Sequence, residues 1–329
     1  MINNRSIFIP VLIISIPLLF AGCGKKEPAK ISGVPEYRLA DRTEGIELMM
    51  SNDQYYDGFT QNDLDFRMQK TGAAMGEYKA FAKEQVRDFT QEQKAIIDEH
   101  MSRIGEVLRK NGYHIPKMDE IVFIATTMQE ECDAMAYTHG TQIYIDADAL
   151  VKINEQGEQS MKRLDYILAH ELFHCITRCN RDFRSDMYKI IHFTIQDDDF
   201  AIPESVKEFF ISNPDVEHHD SYATFVIEGE PIECFAAFVT TKHFEKEGDR
   251  FFDSAMTALV PIDGTDKYYT PEDAENFDEI FGKNTGYVID PEECMADNFG
   301  YLIAYGPDGP DGKGYPNPEI ITAIEDILK

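Results

Sequence analysis

The feature that most constrains this chain is a helical stretch with very little polar face. Over residues 158–177, Met161, Leu164, Ile167, Leu168, Leu172 and Phe173 recur at helical spacing and spread around much of the circumference. A helix that is apolar on so many sides must be surrounded by other elements. Any polar group it carries is then buried and needs a partner. This one carries His170-Glu171-Leu172-Phe173-His174. At about 3.6 residues per turn the two histidines stand one turn apart on one face, so both imidazoles reach a single ion. Glu171 lies beside His170 around the helix, where it takes a proton from water at a metal instead of competing as a ligand. The alternative is a pair of hydrogen-bonded core histidines flanking an ion-paired glutamate.

Zinc bound this way requires a third protein ligand and keeps a fourth position for water. No histidine follows His174 at short range, so a distant side chain must serve. Glu293 opens the segment Glu293-Cys294-Met295-Ala296-Asp297, which places two acids at i and i+4 on one helix face. Glu293 is then the metal ligand, and Asp297 accepts from the ring nitrogen of a ligand histidine and fixes its tautomer. The same acids also suit the first turn of a helix. Glu233 is the rival third ligand; Glu228 and Glu230 are less well placed, beside Gly229 and Pro231. His218 and His219, like His139 and His192, are candidates for polar loop positions or for a metal. Cys175 and Cys179 share a helix face at i and i+4, from which free thiols and no disulfide are expected.

The amino terminus reads as an address. Arg5 precedes an apolar run over residues 7–20, shorter than the roughly 20 residues that span a bilayer and of the length of a signal-peptide core. Phe20-Ala21-Gly22-Cys23 resembles a bacterial lipobox, which implies cleavage after residue 22, lipid on Cys23 and a membrane-held soluble domain. Residues 23–45 form a lipidated cysteine and tether. The expected location is the cell envelope, on its periplasmic or surface side. With 60 acidic against 31 basic residues the formal charge is -29, which argues against nucleic acid as a partner. Six cysteines are too few for a disulfide scaffold.

Elsewhere, short helices are expected over 53–90. A capping box at Thr90-Gln91-Glu92-Gln93 starts a helix that Asn111-Gly112 ends. Strands are expected over 120–126 and 141–146, and a helix over 225–244 broken at its start by Pro231. Thr270-Pro271 and Asp290-Pro291 open helices, Glu293 taking the capping-box position in the second. Residues 305–318 are loop and 318–328 a last helix.

Taken together, these segments resemble the HtpX and CAAX-prenyl endopeptidase family of zinc metallopeptidases. Asp133-Ala134-Met135-Ala136 stands where that family has Asn-Ala-x-Ala, and Thr138-His139-Gly140 replaces its Pro-Gly turn. Thr141-Gln142-Ile143-Tyr144-Ile145 matches its strand, and residues 167–174 its catalytic helix. Residues 293–299 match its third-ligand segment. The resemblance covers about 50 residues and implies an α+β, mostly helical zincin-like domain over 46–329, with a small sheet whose edge strand precedes the histidine helix and an insertion around 197–268. It implies a zinc-dependent endopeptidase whose peptide substrate pairs with strand 141–146. It leaves the second oxyanion donor open among Tyr301, Tyr305, His139 and His219. Two other classes stand beside it: a non-hydrolytic metal-binding lipoprotein acting as chaperone or assembly factor, and a surface module binding glycan or protein.

Overall fold

The computed structural model describes residues 29–329, an α+β fold with helices packed on small sheets. The signal segment and Cys23 lie outside the described residues. A four-stranded sheet runs in the order Tyr37–Leu39, Ile121–Thr126, Gln142–Asp146, Ala136–His139. Its first three strands are parallel and the last is antiparallel. Ile121–Thr126 is buried throughout, as its unbroken apolar run requires of a strand covered on both faces. Gln142–Asp146 is therefore an interior strand, hydrogen-bonded on both sides. The edge expected over 141–146 is instead Ala136–His139.

The histidine helix, Glu158–Cys179, lies under this sheet and packs most extensively against Pro291–Tyr305, the acidic helix. Gln91–Asn111 supports it from another side. Every residue from Ile167 to Thr177 is buried, which is the burial its all-round apolar pattern demands. The two helices approach closely because of Gly300: a Cβ there would lie 2.9 Å from the Tyr166 ring and 3.1 Å from the Tyr166 carbonyl oxygen. The Thr90–Gln93 capping box and the left-handed cap at Gly112 (φ 68°) bound their helix as the sequence indicates. The 53–90 region forms Asp53–Asp57, Gln61–Met68 and Met75–Gln85. Pro318–Leu328 is the last helix, and Thr270-Pro271 opens only a single 3-10 turn, Pro271–Asp273.

Two further expectations are overturned. Residues 225–244 form no helix. Ser221–Ile227 and Glu230–Thr240 are antiparallel strands of a second four-stranded sheet, completed by Ala255–Pro261 and Thr194–Ile195. The reversal sits at Glu228 (φ 53°) and Gly229 (φ 79°), the two positive φ angles that a tight two-residue hairpin needs. Phe, Val and Ile at alternate positions then decide for strand. The tether expected over 23–45 is also shorter. Lys30–Ile31 pairs with Ile115–Pro116, Tyr37–Leu39 joins the first sheet, and Arg42–Met50 is helical. Tyr37 sets its ring edge-on against Phe123 at 5.8 Å, apolar contact that a linker would forgo. Among the described residues Cys132, Cys175, Cys179, Cys234 and Cys294 are free thiols, as expected of Cys175 and Cys179.

Candidate metal centre

The acidic helix begins at Pro291, with Asp290 as its cap accepting from the Glu292 amide at 2.8 Å. Glu293 does not close a capping box. Its side chain turns toward the histidine helix, where Oε2 lies 3.1 Å from His170 Nε2 and 3.5 Å from His174 Nε2. One turn on, Asp297 accepts from His170 Nδ1 at 2.9 Å. The i, i+4 spacing thus brings one acid to the face shared by both rings and the other to the rear of His170. Both roles assigned from the sequence, at Glu293 and at Asp297, have their partners.

The rear of His174 is held by a residue the sequence did not single out. Glu292 accepts from His174 Nδ1 at 2.9 Å, from the Thr177 hydroxyl at 2.6 Å and from the Tyr188 hydroxyl at 2.6 Å. Asp297 likewise takes the hydroxyls of Tyr166 and Thr285. Each imidazole therefore gives its Nδ1 proton to a carboxylate, which turns its Nε2 toward Glu293. His174 Nε2 is buried and, at 3.5 Å from Glu293 Oε2, makes no hydrogen bond among the described residues.

The donor set suits a divalent cation. Ligand atoms of His170, His174 and Glu293 all lie within 4.8 Å of one another. Tetrahedral zinc, about 2.0–2.1 Å from each ligand, sets them roughly 3.4 Å apart. The 3.1 and 3.5 Å separations from Glu293 Oε2 bracket that value. Charge points the same way. Asp215, Glu292, Glu293 and Asp297 surround two imidazoles, and even with Arg178 beside Asp215 this is an excess of buried negative charge that a cation offsets. The field is visible in the proton affinities. Burial pulls the His174 imidazole down, yet Asp215 and Glu292 outweigh it and push it up to about 10. Burial would raise Glu293, but the hydrogen bond from His170 and the His174 imidazole 3.5 Å away hold it well below the carboxylate range.

Glu171 is 4 % exposed, and its Oε2 has no partner. Burial, reinforced by the Asp215 charge, pushes its carboxyl up to about 8. It lines a cleft of about 270 Å³ with Ala134, Ala136, His170, Asp215, Tyr287 and Glu293. The other assigned positions lie elsewhere. Glu233 is exposed on its strand opposite Thr224, away from the histidines, which removes it as third ligand. Glu228 and Glu230 sit at the hairpin end. His139 and His219 line a separate cavity of about 370 Å³. His218 is exposed beside Asp199, and His192 is an exposed turn residue at φ 65°. Tyr301 stacks on Tyr166 behind the site, and neither it nor Tyr305 lines the cleft. Tyr287 does line it, its ring 6.4 Å from that of His170.

Three further residues complete the surroundings. The Asn213 amide donates to Glu293 Oε1. Asp215 Oδ1 accepts from the Thr138 amide at 2.7 Å and the Thr138 hydroxyl at 2.6 Å. Arg178, two helical positions past Ile176, pairs with Glu217 at 3.1 Å. All three belong to, or hold, the segment 212–218, which no motif marks in the sequence. No family model, curated protein or solved structure matches the chain.

Proposed function

We propose that the chain is a zinc-dependent peptidase of zincin-like construction. The observation that carries this reading is the convergence of His170, His174 and Glu293 beside Glu171, a buried glutamate that lines the same cleft and whose Oε2 has no hydrogen-bond partner among the described residues. Zinc held there supplies a lowered water pKa and polarisation of the scissile carbonyl. Glu171 Oε2 accepts the proton of the attacking water and passes it to the departing amine. A carboxyl whose affinity for protons is raised by burial suits a group that must both take and give one near neutrality. Asp297 and Glu292 keep the Nε2 lone pair of each imidazole directed inward. Tyr287 lines the cleft beside His170, and its hydroxyl is the donor we assign to the developing oxyanion.

The substrate is a peptide lying along the open edge of Ala136–His139. Thr138 directs its amide away from the sheet, and the period of two gives Ala136 the same direction. Backbone pairing there is the recognition mode that an exposed edge offers. Lipid on Cys23 would hold the enzyme at the cell envelope; Cys23→Ser should then release the protein from membranes on fractionation. No helix among the described residues is long and apolar enough to cross a membrane.

Glu171→Gln tests the reading. The variant should bind zinc as the parent does, by metal analysis after gel filtration, and lose peptide hydrolysis by about 100-fold or more. Unchanged hydrolysis removes Glu171 as the base. Zinc retained by a parent that cleaves no peptide favours the non-hydrolytic metal-binding lipoprotein.

A further inference from the structure

The cleft is not open at both ends. The segment 212–218 crosses one end of the edge strand and is fastened there. Asp215 caps the Thr138 amide, Glu217 accepts from the Gly140 amide at 2.8 Å, and Arg178 donates to the Pro214 carbonyl at 3.0 Å. Backbone donors that a long substrate would use at Thr138 and Gly140 are therefore occupied. Ala136, which lines the cleft at the start of the strand, makes no outward backbone hydrogen bond among the described residues. The opposite end carries the exposed Arg163, two turns before His170 on the same helix.

The group that closes the blocked end is an acid. Asp215 is 8 % exposed and lines the cleft; its Oδ1 accepts from Thr138 and lies 3.8 Å from the Arg178 guanidinium, while its Oδ2 makes no hydrogen bond among the described residues. A ligand atom of Asp215 lies within 4.8 Å of those of Glu171 and His174. It does not group in this way with His170 and Glu293, so Asp215 sits to one side of the metal position and does not complete the ligand set.

We infer that the site acts on free amino termini: Asp215 binds the substrate's ammonium, and the protein removes the first residue of a peptide. This inference rests on the hydrolytic reading above. Its geometry follows from covalent dimensions. The amino nitrogen of a first residue lies about 2.5 Å from that residue's carbonyl carbon. A charge-assisted hydrogen bond adds about 2.8 Å, so an anchoring carboxylate belongs about 5 Å from the reacting centre. Asp215 has a ligand atom within 4.8 Å of the base and of one candidate ligand histidine, close enough to reach an amine held between them and the cleft end. Direction agrees as well. A peptide antiparallel to Ala136–His139 runs opposite to that strand, so its amino end points toward Thr138 and Asp215. A parallel peptide ending there would bring its terminal carboxylate against Asp215, which like charge disfavours. In the reaction the first peptide C–N bond breaks, water's oxygen joins the carbonyl carbon, and its proton reaches the leaving nitrogen by way of Glu171.

The test uses Ala-Leu-Ala-Phe amide and its N-acetyl twin, with no variant needed for the first comparison. Binding to metal-free protein by calorimetry should favour the free amine by about tenfold or more. Asp215→Asn, which keeps an oxygen for Thr138, should remove that preference. Zinc-loaded protein should release alanine from the free peptide and leave the acetylated one intact, by mass spectrometry. Equal cleavage of both peptides at internal bonds overturns the amino-terminal assignment and leaves hydrolysis standing. Cleavage of the acetylated peptide that appears only after nicking within 212–218 identifies the segment as a plug and likewise overturns it. Cleavage of neither peptide overturns the hydrolytic reading itself.

Discussion

Asp297 should set zinc affinity without touching zinc. Its carboxylate accepts three donors: the Nδ1 proton of His170 at 2.9 Å and the hydroxyls of Tyr166 and Thr285. Asp297→Asn retains the volume but replaces one oxygen by an NH2 group, which cannot accept. At least one of the three donors then faces another donor. If His170 loses its acceptor, the ring is free to turn and its Nε2 becomes less basic. Loss of such a partner weakens metal binding by about 10–100-fold, or about 1.4–2.7 kcal/mol. A buried hydroxyl left unpaired also costs the metal-free protein about 1–3 kcal/mol. Competition against a chromophoric chelator reads the first effect, and urea denaturation of metal-free protein reads the second. Asp165→Asn is the control: that carboxylate pairs with His100 at 2.7 Å and Arg103 at 2.8 Å, both away from the centre. It should lower stability and leave zinc affinity unchanged. An Asp297→Asn protein with the parent's zinc affinity would refute the reasoning.

Three more outcomes follow from the same geometry. Glu293→Ala should weaken zinc binding far more than Glu233→Ala, because only Glu293 meets the histidines; equal losses would return the third ligand to doubt. Glu130 is 1 % exposed, with Oε2 unpartnered, and burial pushes its carboxyl up to about 7. Its folded pKa exceeds the unfolded value, so its contribution is full below about pH 4 and declines as pH rises through 7. Glu130→Gln should therefore gain on the parent, by up to about 3 kcal/mol at pH 8 relative to pH 4, in urea melts at the two pH values; a constant difference between the two proteins would contradict this. Gly300→Ala places a methyl 3.1 Å from a backbone carbonyl that cannot swing aside, so the helices must part. A loss of about 1–3 kcal/mol is expected, with weaker zinc binding; parent-like values for both would show that the crossing yields.

What the sequence made legible was whatever is written in short-range spacing. The histidine pair, Glu171, and the i, i+4 relation of Glu293 and Asp297 are properties of single helices, and so are the caps at Thr90 and Gly112. What stayed hidden depends on which elements meet. Glu292 looked like one more acid in a helix start, yet the crossing of two helices directs it at His174. Asn213, Asp215 and Tyr287 lie in irregular chain, where no periodicity reports their direction. The edge strand was misplaced because Ala136–His139 folds back on Gln142–Asp146 around Gly140, covering the strand that the parallel pattern alone would leave open. The hairpin over 221–240 did carry a local signal, Glu228-Gly229 between alternating apolar residues, which an apolar count in a helical frame conceals.

The carboxylate of Glu292 is shared between His174 and Tyr188, and Tyr188 belongs to Arg181–Ile190, the next helix along the chain. Whatever fixes the imidazole also fixes the acid, and the acid in turn clasps a phenol on a neighbouring element. Loading of the centre and seating of that helix are thus thermodynamically linked: each lowers the entropy left for the other to remove. If the centre holds zinc as proposed, removing the ion should accordingly loosen this flank, outside the cleft.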